Sequence, residues 1–182
     1  MSGERISRLC RDCASSIYGT RAPTAAYADN VARLLFMTAA HESGGFRHRR
    51  QLGFARFSAK GAFGLWQCEL ASVEDSIDYI RNASRRPLFE RCMQWLDGWP
   101  ELSDIDLSHR TAAFALLALQ DPRGDPLSCL LARLHYVRDP QPVPATPPEM
   151  AAYAKRVYNT RLGAATAADY LRAYERYWPD GR

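Results

Sequence analysis

Two side chains stand out for their type and for what surrounds them. Glu42 ends the run VARLLFMTAAHE, and Gln67 ends GAFGLWQ. Val31, Leu34, Leu35, Thr38 and Glu42 share one face of a 3.6-residue period, so the carboxylate closes a stripe that should face the core. Gly44 and Gly45 follow at once, and a glycine just past the last turn commonly ends a helix. A carboxylate placed there is partly desolvated and sits at the negative end of the helix dipole. Both effects favour the protonated acid, and a carboxylic acid that keeps its proton near neutral pH is what general acid catalysis needs. A lone glutamate at a helix end is most often a surface residue. What shifts the balance is Gln67, three residues past Gly64, with an amide that both donates and accepts.

The interval between these residues is as informative as the residues themselves. No Asp or Glu occurs between Glu42 and Glu69, and Glu69, Glu74 and Asp75 remain as possible second carboxylates, with Glu69 nearest to Gln67. The same interval carries Arg47, Arg49, Arg50, Arg56 and Lys60. That is a basic lip that would attract a polyanion, although a cluster such as His48-Arg49-Arg50 is by itself most often a solvated loop. His41 and His48 flank the segment. The chain has no phosphate loop, nucleotide fingerprint, metal-ligand cluster or nucleophile elbow, so no metal and no cofactor is expected.

Glu42-Ser43 at a helix end, followed by Gly61-Ala62-Phe63-Gly64-Leu65-Trp66-Gln67, resembles the first two motifs of the soluble lytic transglycosylase and goose-type lysozyme superfamily. Gly64, Leu65 and Gln67 match its pattern. Ala71-Ser72 falls where Ala-Thr is usual, and Leu70 stands where a proline is common. Tyr158-Asn159 with Gly163 resembles the family's third motif, farther downstream than usual. The chain is also similar to short tailed-phage proteins that share the Glu-Ser, the Gly-Leu-x-Gln-x-Glu run and a late Tyr-Asn-Thr.

The resemblance implies a peptidoglycan-cleaving muramidase that cuts the β-1,4 bond between N-acetylmuramic acid and N-acetylglucosamine. Glu42 would be its catalytic acid/base. Ser43, Gly64, Leu65, Trp66, Gln67, Tyr158 and Asn159 would be its substrate-binding residues, and Glu69 a possible second carboxylate. Phe63, Trp66 and Tyr158 are candidates to stack on pyranose rings, and Gln67 to bind an N-acetyl group. Hydrolysis of a glycoside ordinarily uses two carboxylates. A lytic transglycosylase needs one, because the substrate's own C6 hydroxyl attacks to give a 1,6-anhydro end. The alternative is a non-catalytic lysozyme-fold virion or glycan-binding protein.

Positioning such a site requires a folded core, and 182 residues that are 47% hydrophobic and 24% charged can supply one as a single domain, residues 1–182. The net charge of +4 is a mild basic excess, and no nucleic-acid partner is expected. The N-terminus MSGERISRLCRDC has no apolar stretch, so neither a signal peptide nor membrane insertion is expected. Synthesis in a host cytoplasm, action on the cell wall, holin-dependent export or virion association, and a monomeric state complete the expectation. Five cysteines, an odd number, read as reduced thiols, with Cys10 and Cys13 packed in a small helical core rather than on zinc.

The periodicity predicts an all-α fold, α+β at most: a lysozyme-like helical bundle with a small irregular or β insertion near residues 46–62. Helices are expected over 3–17, from Thr24 to Glu42, from Ser72, from Pro87, over 111–120, from an Asp125 cap, from Thr146 and from Thr166. The segment 111–120, TAAFALLALQ, is apolar almost all round and reads as the central helix. Residues 139–148, with five prolines, read as an extended loop.

Overall fold

A computed structural model of the chain describes residues 3–19, 22–51, 53, 61–102, 120–159 and 164–179. Its described residues form seven α-helices and one two-stranded antiparallel hairpin. The helices are α1 (Gly3–Ser16), α2 (Ala25–Glu42), α3 (Leu70–Arg81), α4 (Arg86–Asp97), α5 (Asp125–Val137), α6 (Pro147–Val157) and α7 (Ala167–Tyr177). Short 3-10 turns at Ala83–Arg85, Pro100–Leu102 and Pro122–Gly124 link some of them. No helix among the described residues is long and apolar enough to cross a membrane.

Helix α2 is the axis of the bundle, packed against α1, α5, α6 and α7. Its Thr24 cap accepts a hydrogen bond from the Tyr27 amide, as the sequence predicts. The expectation of a single apolar stripe is corrected. Every residue from Val31 to Ala40 is buried except Arg33, whose guanidinium bonds the Tyr174 hydroxyl at 2.9 Å. Helix α5 is buried along most of its length too. The segment 111–120, expected as the central helix, lies outside the described residues apart from Gln120, so α2 and α5 hold the centre of what is described.

Two helix starts differ from the sequence reading. Helix α3 begins at Leu70, with Glu69 in extended conformation at its N-cap, rather than at Ser72. Asp125 is the first residue of α5, not its cap, and is fully buried. Burying it requires a partner. Arg49 supplies one with a bidentate pair, Nε to Oδ1 at 2.8 Å and Nη2 to Oδ2 at 2.9 Å, and Arg5 adds a contact at 3.3 Å. Thr166 and Asp169 form a full capping box at the start of α7. The proline-rich loop is pinned, with Val143 buried and its amide directed at the Tyr27 hydroxyl.

The β element sits later than predicted. Strand β1 (Ala62–Phe63) pairs with β2 (Cys68–Glu69), and Arg50 bridges to Phe63 on the other edge. The Gly64-Leu65-Trp66-Gln67 motif is therefore the turn of this hairpin. The aromatic run at 51–57, read as irregular or a hairpin, lies largely outside the described residues. All five cysteines are buried free thiols. Those of Cys10, Cys13 and Cys129 meet between α1 and α5, and burial pushes the Cys92 thiol up to about 12, which makes it a poor nucleophile.

After Glu42 the chain reverses through three consecutive residues of positive φ: Gly44 (60°), Gly45 (77°) and Phe46 (65°). A Cβ on Gly45 would lie 2.4 Å from the Tyr177 ring. Gly45→Ala is therefore expected to cost roughly 2–4 kcal/mol, from the left-handed backbone and the clash together. In a thermal melt that is a Tm lower by roughly 5–15 °C. An unchanged Tm would mean that α7 does not pack on this turn as described.

Candidate active site

Glu42 owes its position to how α2 stops. The fully buried Ser43 hydroxyl donates to the Ala39 carbonyl at 2.6 Å and accepts from the Phe46 amide at 2.7 Å. The Gly45 amide returns to the Ala40 carbonyl at 2.8 Å. These bonds satisfy the end of the helix from inside, and leave Glu42, the last helical residue, half-buried in the wall of a cleft of about 980 Å³. Gln67, Glu69, Tyr158 and Asn159 share that cleft, with His41, Arg47, His48 and Arg50 beside them.

The Glu42 carboxylate is gripped from two helices. Tyr170, in the first turn of α7, donates its hydroxyl to Oε1. Asn159, just beyond α6, donates to the same carboxylate. Its orientation is fixed because Lys155 Nζ donates to Asn159 Oδ1 at 2.9 Å, leaving the amide nitrogen for Glu42. The His41 ring lies tilted against that of Tyr170 with centroids 4.1 Å apart, and burial lowers its pKa. Desolvation raises the Glu42 pKa above its ordinary 4.5. The Tyr170 and Asn159 hydrogen bonds oppose the rise, and the nearby charge of Glu69 adds to it. Desolvation is the larger effect, so the carboxyl holds its proton more tightly than an exposed glutamate does.

Gln67 shows why its motif needs glycines. It adopts φ 48°, rare for a non-glycine residue, directly after the turn that Gly64 (φ 75°) opens. Its Nε2 donates to the Gly64 carbonyl at 2.8 Å, so its amide oxygen is the group left to accept a hydrogen bond in the cleft. Glu69 is exposed on the same wall. Tyr158 closes the floor, donating to the Trp66 carbonyl at 2.7 Å, with its ring 5.0 Å from that of His135.

Five predicted contact residues take other roles. Trp66 is fully buried and donates its indole N–H to the Leu35 carbonyl at 2.8 Å, so it anchors the hairpin to α2 and cannot stack on a sugar. Phe63 and Leu65 are buried core. Ser43 acts on the helix end, and Gly64 through backbone conformation. The basic lip also divides. Arg49 turns inward to Asp125, while Arg47, His48 and Arg50 face the cleft. Arg56, Lys60 and Gly163 lie outside the described residues.

Tyr170 and His135 were not legible as site residues. The Thr166-Asp169 box fixes where α7 starts, hence the turn that carries Tyr170, but nothing local ties it to a residue 128 positions away. Among the described residues, no cluster of three or more His, Cys, Asp or Glu could hold a metal ion. In comparisons with known proteins, no family model, curated protein or solved structure matches the chain.

The raised Glu42 pKa has a consequence for stability. The folded state binds this proton more tightly than the unfolded chain, so the contribution is fully present below about pH 4.5 and is lost as pH rises through the folded pKa. Gln at this position carries no charge to desolvate. Glu42→Gln is expected to melt above wild type at pH 8, with the gap closing toward pH 4. Paired melts across that range check it, and a variant less stable at pH 8 would contradict it.

Proposed function

We propose that the protein is a glycan-cleaving enzyme of lytic transglycosylase type acting on bacterial peptidoglycan, with Glu42 as acid and then base. The observation that carries this reading is a desolvated carboxyl with a raised pKa, oriented by Tyr170 and Asn159, in the wall of a cleft of about 980 Å³. The Glu42 proton passes to the glycosidic oxygen as the C1–O4 bond breaks. Positive charge then develops at C1 and the ring oxygen, beside the carboxylate just formed. The substrate's C6 hydroxyl attacks C1, closing a 1,6-anhydro ring, and its proton returns to Glu42. No water is consumed. The Gln67 amide oxygen suits an N-acetyl N–H or a hydroxyl on the bound sugar. The activity fits a phage endolysin or virion-associated lysin that meets its substrate at the cell wall.

Hydrolysis is a second reading, and Glu69 supports it. It lies exposed on the wall of the same cleft as Glu42, where a carboxylate can act as base for a water. The products separate the two, because an anhydro end is one water lighter than a reducing end. Mass spectrometry of digested peptidoglycan is expected to give anhydro ends from wild type and no product from Glu42→Gln. Reducing ends that vanish in Glu69→Gln would establish hydrolysis. No product of either kind from folded wild type would overturn both.

A pH profile tests how the acid is held. Cleavage requires protonated Glu42, so kcat/KM falls as pH rises through its pKa. The Tyr170 hydroxyl favours the carboxylate, and removing it raises that pKa further. In Tyr170→Phe the descending limb is therefore expected at higher pH than in wild type. A limb that stays in place would leave Tyr170 a packing role only.

A further inference from the structure

The hydrogen bonds that grip the acid form a chain with a direction. Asn159 donates to the Tyr170 hydroxyl oxygen as well as to Glu42, and Tyr170 donates its own hydrogen to Glu42 Oε1. At the outer end, Lys155 Nζ donates to Asn159 Oδ1 at 2.9 Å. Lys155 lies half-buried in the last turn of α6, four residues before Asn159, and does not line the cleft. Every bond in the chain therefore runs from Lys155 towards Glu42.

Nothing in the middle of the chain dictates that sense. A carboxamide turned over exchanges donor for acceptor, and a hydroxyl can act as either. With Oδ1 facing inward, Asn159 would accept from the Tyr170 hydroxyl or from protonated Glu42, and the acid's proton would be tied to the protein. An ammonium has three donors and no acceptor, so it admits one orientation of the amide only. The amide nitrogen then occupies the Tyr170 oxygen as a donor, which leaves the Tyr170 hydrogen for Glu42. Both groups on the carboxyl meet it as donors, and neither offers its proton an acceptor.

We infer that Lys155 is a positioning residue for the acid: acting through Asn159, it fixes the direction of the chain, so that the Glu42 proton is offered to the cleft and not to the protein. This rests on the acid role of Glu42 in the proposed function.

Lys155→Met keeps the length and apolar stem of the side chain and removes the donor. It is expected to lower kcat by roughly tenfold with KM unchanged. Lys155→Arg, which donates and cannot accept, is expected to restore most of that loss. Circular dichroism melts establish that each variant is folded. A carbon-13 titration of the Glu42 carboxyl, assigned by its absence in Glu42→Gln, follows the chain without any substrate. Glu69, Cys68, Tyr136 and Tyr158 stand in the field of the Glu42 charge, with His41 against Tyr170, and all are the same in every variant. Losing a donor favours the protonated acid. The Glu42 pKa is therefore expected to rise in Lys155→Met, and to change little when the same substitution is made in Asn159→Ala. An equal rise in both backgrounds would show a charge acting through space and overturn the inference, as would an unchanged kcat in Lys155→Met. A wild type that cleaves no cell wall overturns the proposed function instead, while the titration still decides whether Lys155 acts on Glu42 through Asn159.

Discussion

The Ser43 hydroxyl, held between the Ala39 carbonyl and the Phe46 amide, decides where the central helix ends. Had α2 run one turn further, Glu42 would sit mid-helix with its backbone satisfied and its side chain on whichever face the period dictated. Instead the chain leaves through three left-handed residues and brings Arg47, His48 and Arg50 back over the helix end. Acid and basic rim are thus set by the same few bonds. The conformation needs glycine at 45, where the Tyr177 ring leaves no room for a side chain, so helix α7 locks the turn from outside. The same helix supplies the Tyr170 hydroxyl. Helix α7 therefore meets the end of α2 at two points, Tyr177 against the turn at Gly45 and Tyr170 on the Glu42 carboxylate.

Glu42 sits in a contest between opposing effects. Two donors would normally leave a carboxylate more acidic than usual, while burial and a neighbouring negative charge push the other way. Burial prevails, yet the donors remain useful. They hold the carboxyl in one orientation and favour its ionised form, which the proposed acid-then-base role would need. On the proposed mechanism a purely apolar pocket would not serve, because the ionised form of the acid would be too costly there. Tyr170 and Asn159 moderate that cost without removing it.

What could be read from the sequence was what local spacing determines. The burial of the helix ending at Glu42, its termination before Gly44, the caps at Thr24 and Thr166, and the helical character of the chain all follow from residues within about four positions of one another. Trp66 was misread as a sugar platform because an aromatic in a glycine-framed turn looks exposed. Its indole finds the Leu35 carbonyl, 31 positions earlier, and no periodicity reports that. Arg49 was counted among surface cations for the same reason, since its partner Asp125 is 76 positions away. Tyr170 is the clearest case. Its spacing within α7 marks it as core-facing, and only the packing of α7 against α2 turns it into a donor to the acid.

The missing carboxylates matter in space rather than along the chain. The interval from Ser43 to Cys68 does lack Asp and Glu, and the sequence ties single-residue chemistry to that gap. The hairpin closes the gap geometrically. Pairing Ala62 with Glu69 carries Glu69 back along the strand that Arg50 touches, onto the cleft wall. Being first outside the gap in sequence, Glu69 is still close enough to influence the Glu42 proton. Its influence favours the protonated acid whether or not it ever activates a water, because a second negative charge near a carboxyl always raises the cost of ionising it. Glu69 therefore helps prime Glu42 in either reaction. What differs between the two readings is only whether a water or the substrate's own hydroxyl reaches C1 first.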